Sequence, residues 1–221
     1  MNVLPDHTAR FLAATAPDHT PVQAEMADLA EEWDFPIIGA EAGAVLRLLA
    51  RLTDAERVFE FGSGFGYSAT WFLRGGAESV VCTEFDEEEA ERGVTFATEY
   101  GYDDAVTFEI GDAMGTIERY DGPFDIALID HQKSRYVDAF EAVRPKLRSG
   151  GVVIADNIAS GPIDFDALVR HVTDGDPLPS VDDDAQTHGI GSYVDHVTDD
   201  PAVETAILPV GSGIAVSTVR G

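Results

Sequence analysis

Cysteine, lysine and long apolar runs are almost missing from this chain of 221 residues. Its one cysteine, Cys82, cannot close an internal disulfide, and no Cys/His cluster has zinc spacing, so disulfide and zinc scaffolds are excluded. No stretch approaches the roughly 20 apolar residues that span a bilayer. Met1 to Arg10 lacks the basic-then-apolar order of a secretory signal, so a cytoplasmic, non-membrane protein is expected. Positive charge is equally scarce: 14 Lys+Arg face 41 Asp+Glu, a net charge of −27, and only Lys133 and Lys146 are lysines. Without a basic stripe to meet phosphates, nucleic-acid binding is disfavoured.

So large a charge suggests disorder only when hydrophobicity is low. Here 44% of residues are hydrophobic, including 12 Phe, which supplies a core. A carboxylate-rich, lysine-poor surface suits a salt-filled cytoplasm, where counter-ions screen repulsion over a few ångströms. A halophilic source is therefore expected, and single acidic residues are weak evidence for a site.

Residues 1–52 read as an N-terminal helical segment. Thr20-Pro21 opens one helix, with Val22, Met26, Leu29 and Trp33 at helical spacing before Pro36, and Ala40 to Leu52 forms another. Residues 53–221 read as an α/β core of the same single domain. Val58–Phe61, Ser79–Thr83, Val106–Ile110, Ile126–Ile129 and Val152–Ala155 are short apolar runs, far enough apart for crossover helices. The pieces between them, Ser68–Arg74, Glu87–Glu99, Met114–Tyr120 and Tyr136–Leu147, read as helices. Continuous apolar strands alternating with helices predict a parallel sheet covered on both faces. Val203–Leu208 and Ile214–Val219 predict a closing antiparallel hairpin, and Thr173–Gly191 a polar loop over the sheet edge.

In open α/β sheets ligands bind beyond the carboxyl ends of the strands, so the residues after each apolar run carry the information. The first run ends in Glu60-Phe61-Gly62-Ser63-Gly64-Phe65-Gly66-Tyr67-Ser68. Its Gly-x-Gly-x-Gly spacing differs from the dinucleotide fingerprint, and Glu60 suits a cationic amino group better than a diphosphate. Glu84, at the end of the second run, can accept hydrogen bonds from ribose hydroxyls. Asp112, after the third, either meets an adenine amino group or caps a helix. Asp130, Asp156 and Asn157 bring hard oxygen donors to neighbouring strand ends, which suits Mg²⁺. Lys133 sits beside them, where an amine serves as a general base.

Glu60 to Ser68, the Asp-His-x-Lys-x-Arg-Tyr of Asp130 to Tyr136, and Ala155-Asp156-Asn157 together resemble the cation-dependent O-methyltransferases, which include the catechol and caffeoyl-CoA enzymes. The resemblance runs from about Pro36 to Val219. It implies a Rossmann-like class I methyltransferase fold: a seven-stranded, mostly parallel sheet with one antiparallel strand and helices on both faces. It also implies S-adenosylmethionine, with Mg²⁺ or another divalent cation, and a small phenolic or catecholic methyl acceptor.

Carried over, Glu60, Gly62, Ser63, Gly64 and Ser68 hold the methionine part of the cofactor, Glu84 the ribose, and Asp112 with Ala113 the adenine. Asp130 serves cofactor and metal together, Asp156 and Asn157 complete the metal site, and Lys133 is the base. Ile38 aligns with a cofactor-lining position. Gln132 departs from the Trp of the animal catechol enzymes. Asp195 is the expected counterpart of their second substrate-hydroxyl ligand. Relatives tend to dimerise, so a homodimer is expected. The alternatives are a tRNA-modifying methyltransferase, a nicotinamide-dependent oxidoreductase and a non-catalytic cofactor-binding protein.

Overall fold

A computed structural model describes residues 4–220. Three helices come first: α1 (Asp6–Thr15), α2 (Pro21–Trp33) and α3 (Gly39–Leu52). A capping box starts α2, with the Thr20 hydroxyl and the Gln23 side chain each serving the other's backbone N–H, and Pro21 in the first turn. The α/β part follows as β1 (Arg57–Phe61), α4 (Tyr67–Gly75), β2 (Ser79–Glu84), α5 (Glu87–Glu99), β3 (Val106–Ile110), α6 (Ala113–Ile117) and β4 (Phe124–Ile129). After a 3₁₀ turn at Lys133–Arg135 come α7 (Tyr136–Val143), β5 (Leu147–Ala155), α8 (Phe165–Asp174), α9 (Val181–Asp199), β6 (Val203–Leu208) and β7 (Ile214–Val219).

The seven strands form one sheet in the order β3-β2-β1-β4-β5-β7-β6. Strands β1 to β5 pair in parallel, and β7 runs antiparallel to both β5 and β6. Alternation along the strands divides the core in two. Val58, Val80, Cys82, Ile126, Leu128, Val152 and Ile154 face the helices α2, α3, α4 and α5. Phe59, Phe61, Val81, Ala127, Ile129, Val153 and Ala155 face α6, α7, α8 and α9. Burial on both faces accounts for the continuous apolar runs of the central strands. No helix among the described residues is long and apolar enough to cross a membrane.

The expected polar loop at Thr173–Gly191 is mostly helical. Only Gly175 to Ser180 lies outside α8 and α9. Ser180 caps α9, which breaks at Asp184 (φ −154°, ψ 87°) and restarts with the Asp184 carboxylate accepting from the Gln186 and Thr187 N–H groups. Thr187, Gly189, Ile190 and Gly191 are buried, so a segment polar in composition packs against the sheet by one face.

Candidate active site

The ends of β1, β2, β4 and β5 open on one cleft of about 790 Å³, within the range of small-molecule sites. Of the residues expected there, Gly62, Ser63, Gly64, Ser68, Glu84, Asp112, Ala113, Asp130, Lys133, Asp156 and Asn157 all line it, with Ile38.

The turn after β1 sets its floor. Gly62, Gly64 and Gly66 all have positive φ. A Cβ on Gly62 would stand 2.5 Å from the Asp130 carbonyl oxygen, so glycine there lets the β1 and β4 ends approach closely. Gly62 and Ser63 donate their N–H groups to the Thr83 carbonyl, Gly66 to the Ser63 carbonyl, and Gly64 to Glu84 Oε2 at 2.9 Å. Those amides already have acceptors, so the turn is not the open anion cradle that a pyrophosphate asks for.

Glu84 also accepts from the Phe85 and Asp86 N–H groups through Oε1, which fixes its carboxylate at the rim of the cleft. Phe85 follows it and is 75% exposed. This apolar ring beside a polar site was passed over in the sequence, although an aromatic directly after a strand-end acid was the available signal. Phe35 and Pro36, after α2, line the cleft from the opposite direction and were likewise missed.

Glu60 lies differently from expectation. It is fully buried and absent from the cleft wall, on the α4 side of the sheet. Its Oε2 accepts from the Ser68 hydroxyl at 3.1 Å and from the Cys82 thiol at 3.5 Å, while Oε1 has no partner. Burial pushes its carboxyl up to about 8, against the lowering by Ser68. Its partner Ser68 lines the cleft, and Glu60 lies behind it.

Asp112 does cap α6, accepting from the Met114 N–H at 3.0 Å, and also pairs with Arg135 at 3.0 Å and 3.3 Å. Both partners line the cleft, so the pair bridges the β3 and β4 ends.

At the other end, Lys133 Nζ donates to Asp130 Oδ1 at 2.9 Å, and the lysine is 7% exposed. Burial raises the Asp130 carboxyl, and the Lys133 ammonium opposes this. Asp156 is 2% exposed, and its Oδ1 has no hydrogen-bond partner. Burial, and then the Asp130 charge, push its carboxyl up to about 8. Asn157 adopts left-handed backbone (φ 58°), a conformation Asn tolerates better than most residues. No three His, Cys, Asp or Glu side chains converge as a metal cluster among the described residues. The donor set here is two carboxylates and an amide, and its orphaned buried oxygen is the kind of group a hard cation satisfies. His131 stacks on Tyr136, with both ring nitrogens buried and unpartnered, and burial lowers it to about 4, so it is neutral.

Asp195 is not brought to this cleft. It sits on the outward side of α9, where its carboxylate meets His171 Nε2 at 2.9 Å. Gln186, which the sequence reading passed over, lines the cleft instead. At 3.6 residues per turn, nine residues make about two and a half turns, so the two leave opposite sides of the helix.

The family model described as O-methyltransferase matches residues 22–219. A catechol O-methyltransferase of Mycobacterium tuberculosis is 30% identical over 162 residues, 71% of this chain and 74% of that one. A flavonoid 3',5'-methyltransferase of Vitis vinifera is 23% identical over 192 residues, 83% of this chain and 79% of its own. In fold, the chain is similar to the O-methyltransferase TomG from Streptomyces achromogenes, solved in complex with SAM. The TM-score is 0.81 at 24% identity, over 97% of this chain and 96% of that one. An O-methyltransferase from Bacillus cereus in complex with SAH gives a TM-score of 0.81 at 22% identity, over 97% of each chain. These matches leave no place for the oxidoreductase and non-catalytic alternatives: the chain belongs to the class I S-adenosylmethionine-dependent O-methyltransferase family.

Proposed function

We propose that the protein methylates one hydroxyl of a small catechol or phenol, with a divalent cation held by Asp130, Asp156 and Asn157 and with Lys133 as general base. The observation that carries this reading is Asp156 Oδ1, buried without a partner in the same cleft as the Lys133–Asp130 pair. When bound, S-adenosylmethionine supplies an electrophilic methyl group, and the cation supplies the charge that acidifies a neighbouring hydroxyl.

The chain's own residues do the rest. Once its ammonium has released a proton to solvent, Lys133 Nζ, anchored by Asp130 Oδ1, takes the hydroxyl proton. Glu84 holds the ribose hydroxyls through the lone pairs its three backbone donors leave free. Ser68, backed by Glu60, orients the methionine end. Phe35, Phe85 and Ile38 give the cofactor apolar walls and exclude water. Most of the rate gain in such a site comes from alignment and charge placement.

The test is a methylation screen over catechols, phenolic acyl thioesters and bulk tRNA, with Mg²⁺ or with EDTA, in molar KCl. Transfer to a catechol that EDTA abolishes is expected. Full activity in EDTA would sink the metal assignment, and transfer to tRNA alone would sink the substrate class.

A further inference from the structure

We propose that Gln186 both positions Lys133 and donates a hydrogen bond to a second oxygen of the methyl acceptor. The proposal rests on Lys133 being the base. The Lys133 backbone N–H donates to Gln186 Oε1 at 3.0 Å. That bond is held from behind by the break in α9. Asp184 Oδ1 accepts from the Gln186 N–H at 3.1 Å and from the Thr187 N–H at 2.9 Å. The Thr187 hydroxyl donates to Asp184 Oδ2 at 2.5 Å and accepts from the Asp164 N–H at 2.7 Å. One turn on, Gly189 lies flush on the same backbone: a Cβ there would stand 2.3 Å from the Lys133 carbonyl oxygen and 2.5 Å from Ser134 Cα. The restarted helix is thus a wedge against the turn that carries Lys133.

The orientation of the carboxamide follows. An N–H group must meet an acceptor, so the oxygen faces Lys133 and the NH₂ is turned away from it. Among the described residues Nε2 has no hydrogen-bond partner, and Gln186 lines the cleft with Lys133, Asn157 and Pro162. An amide NH₂ donates and cannot accept. The group it reads is therefore any oxygen with a free lone pair: a hydroxyl, a phenolate, a carbonyl, a carboxylate or an ether oxygen. A carboxylate such as the expected Asp195 would instead have selected a second free hydroxyl. The acceptor class widens from catechols to phenols with any oxygen next to the methylated hydroxyl, of which an ortho-hydroxy carbonyl compound, lacking a second hydroxyl, is the diagnostic member and catechol the reference.

The experiment compares Gln186→Leu and Gln186→Glu with wild type and with Lys133→Ala, on catechol and on 2-hydroxyacetophenone. It also includes calorimetric affinity for S-adenosylhomocysteine and for each phenol. Leu removes both functions: kcat should fall on the order of ten- to a hundredfold through misplacement of the base, with S-adenosylhomocysteine affinity unchanged. Glu keeps an acceptor for the Lys133 N–H and loses the donor. It should recover most of that kcat while KM and the dissociation constant for 2-hydroxyacetophenone rise about tenfold. Undiminished kcat in Gln186→Leu overturns the positioning role, and unchanged phenol affinity in Gln186→Glu overturns the donor role. If Gln186→Leu fails to fold by circular dichroism, Gln186→Glu decides both: retained kcat with weakened phenol binding supports the proposal, and any other pattern overturns it. Full turnover in Lys133→Ala would show that the base assignment has failed, a result separate from the Gln186 binding arm.

Discussion

Lys133 Nζ and Asp130 Oδ1 lie 2.9 Å apart, and the same Asp130 charge helps to raise the carboxyl of Asp156. The lysine as ammonium partly neutralises two neighbouring acids, and serves as a base only after releasing a proton. Lys133→Ala should lower turnover by roughly 10²- to 10⁴-fold, the usual worth of a general base, and leave S-adenosylhomocysteine affinity within a few-fold of wild type. Lys133→Arg should not restore it, because guanidinium does not release its proton near neutrality. Stopped-flow turnover and calorimetry check both, and cofactor binding that collapses along with activity would contradict the role.

Asp156 makes the metal assignment testable without substrate. Its carboxyl is pushed up to about 8 by burial and by the Asp130 charge, so below that pH it binds a proton that a cation must displace. Mg²⁺ affinity should therefore rise between about pH 6 and pH 8, with proton release visible as a dependence of binding heat on the buffer. Asp156→Ala should abolish both the binding and any Mg²⁺-induced rise in Tm. Equal Tm with and without Mg²⁺ in wild type would refute the assignment.

Glu60 gives a prediction of opposite sense. A carboxyl raised from 4.5 to about 8 binds more protons folded than unfolded across that interval, so stability falls as pH rises through it and levels off above it. Glu60→Gln keeps the shape, and its amide cannot ionise, so this loss should disappear. At pH 8 the variant should exceed wild type by on the order of a few kcal/mol, and near pH 4.5 by little. Denaturant melts of the two proteins at both pH values measure the difference. Parallel pH profiles would show that Glu60 is not buried as a neutral acid.

How far the sequence could be read follows from which forces shape each part. Strands β1 to β4 and the terminal hairpin were found within two residues because burial on both faces, or a Gly211-Ser212-Gly213 turn, leaves a mark in local composition. The residues lining the cleft were legible for a related reason, since parallel strands bring Glu84, Asp130 and Asp156 to one rim. Helix α9 was not legible. Asp182, Asp183, Asp184, Gly189 and Gly191 are poor helix formers, and the segment is helical because its two glycines fit against Lys133 and Leu178. That contact is tertiary and has no local signature. Missing the helix also misplaced Asp195 and hid Gln186, because the face a residue shows cannot be assigned before its element is known.

The charge of −27 yields the remaining prediction. Asp86, Glu87, Glu88 and Glu89 crowd the start of α5 beside Glu84. Burial chiefly, and then the Glu84 and Asp86 charges, raise the Glu89 carboxyl to about 7, so like-charge repulsion contributes to the shift. The helix dipole favours acids at that end, by about 0.3–1 kcal/mol each at low ionic strength, while the acids repel one another. Salt shortens the range of like-charge repulsion from about 30 Å at 0.01 M to about 3 Å at 1 M. Across a surface this acidic, Tm should therefore climb steeply as KCl goes from millimolar to molar, and the acidic turn should contribute. Glu88→Gln and Glu89→Gln together should raise Tm in low salt and have little effect in molar KCl. A melting temperature that ignores KCl would refute the halophilic reading of the surface while leaving the methyltransferase site intact.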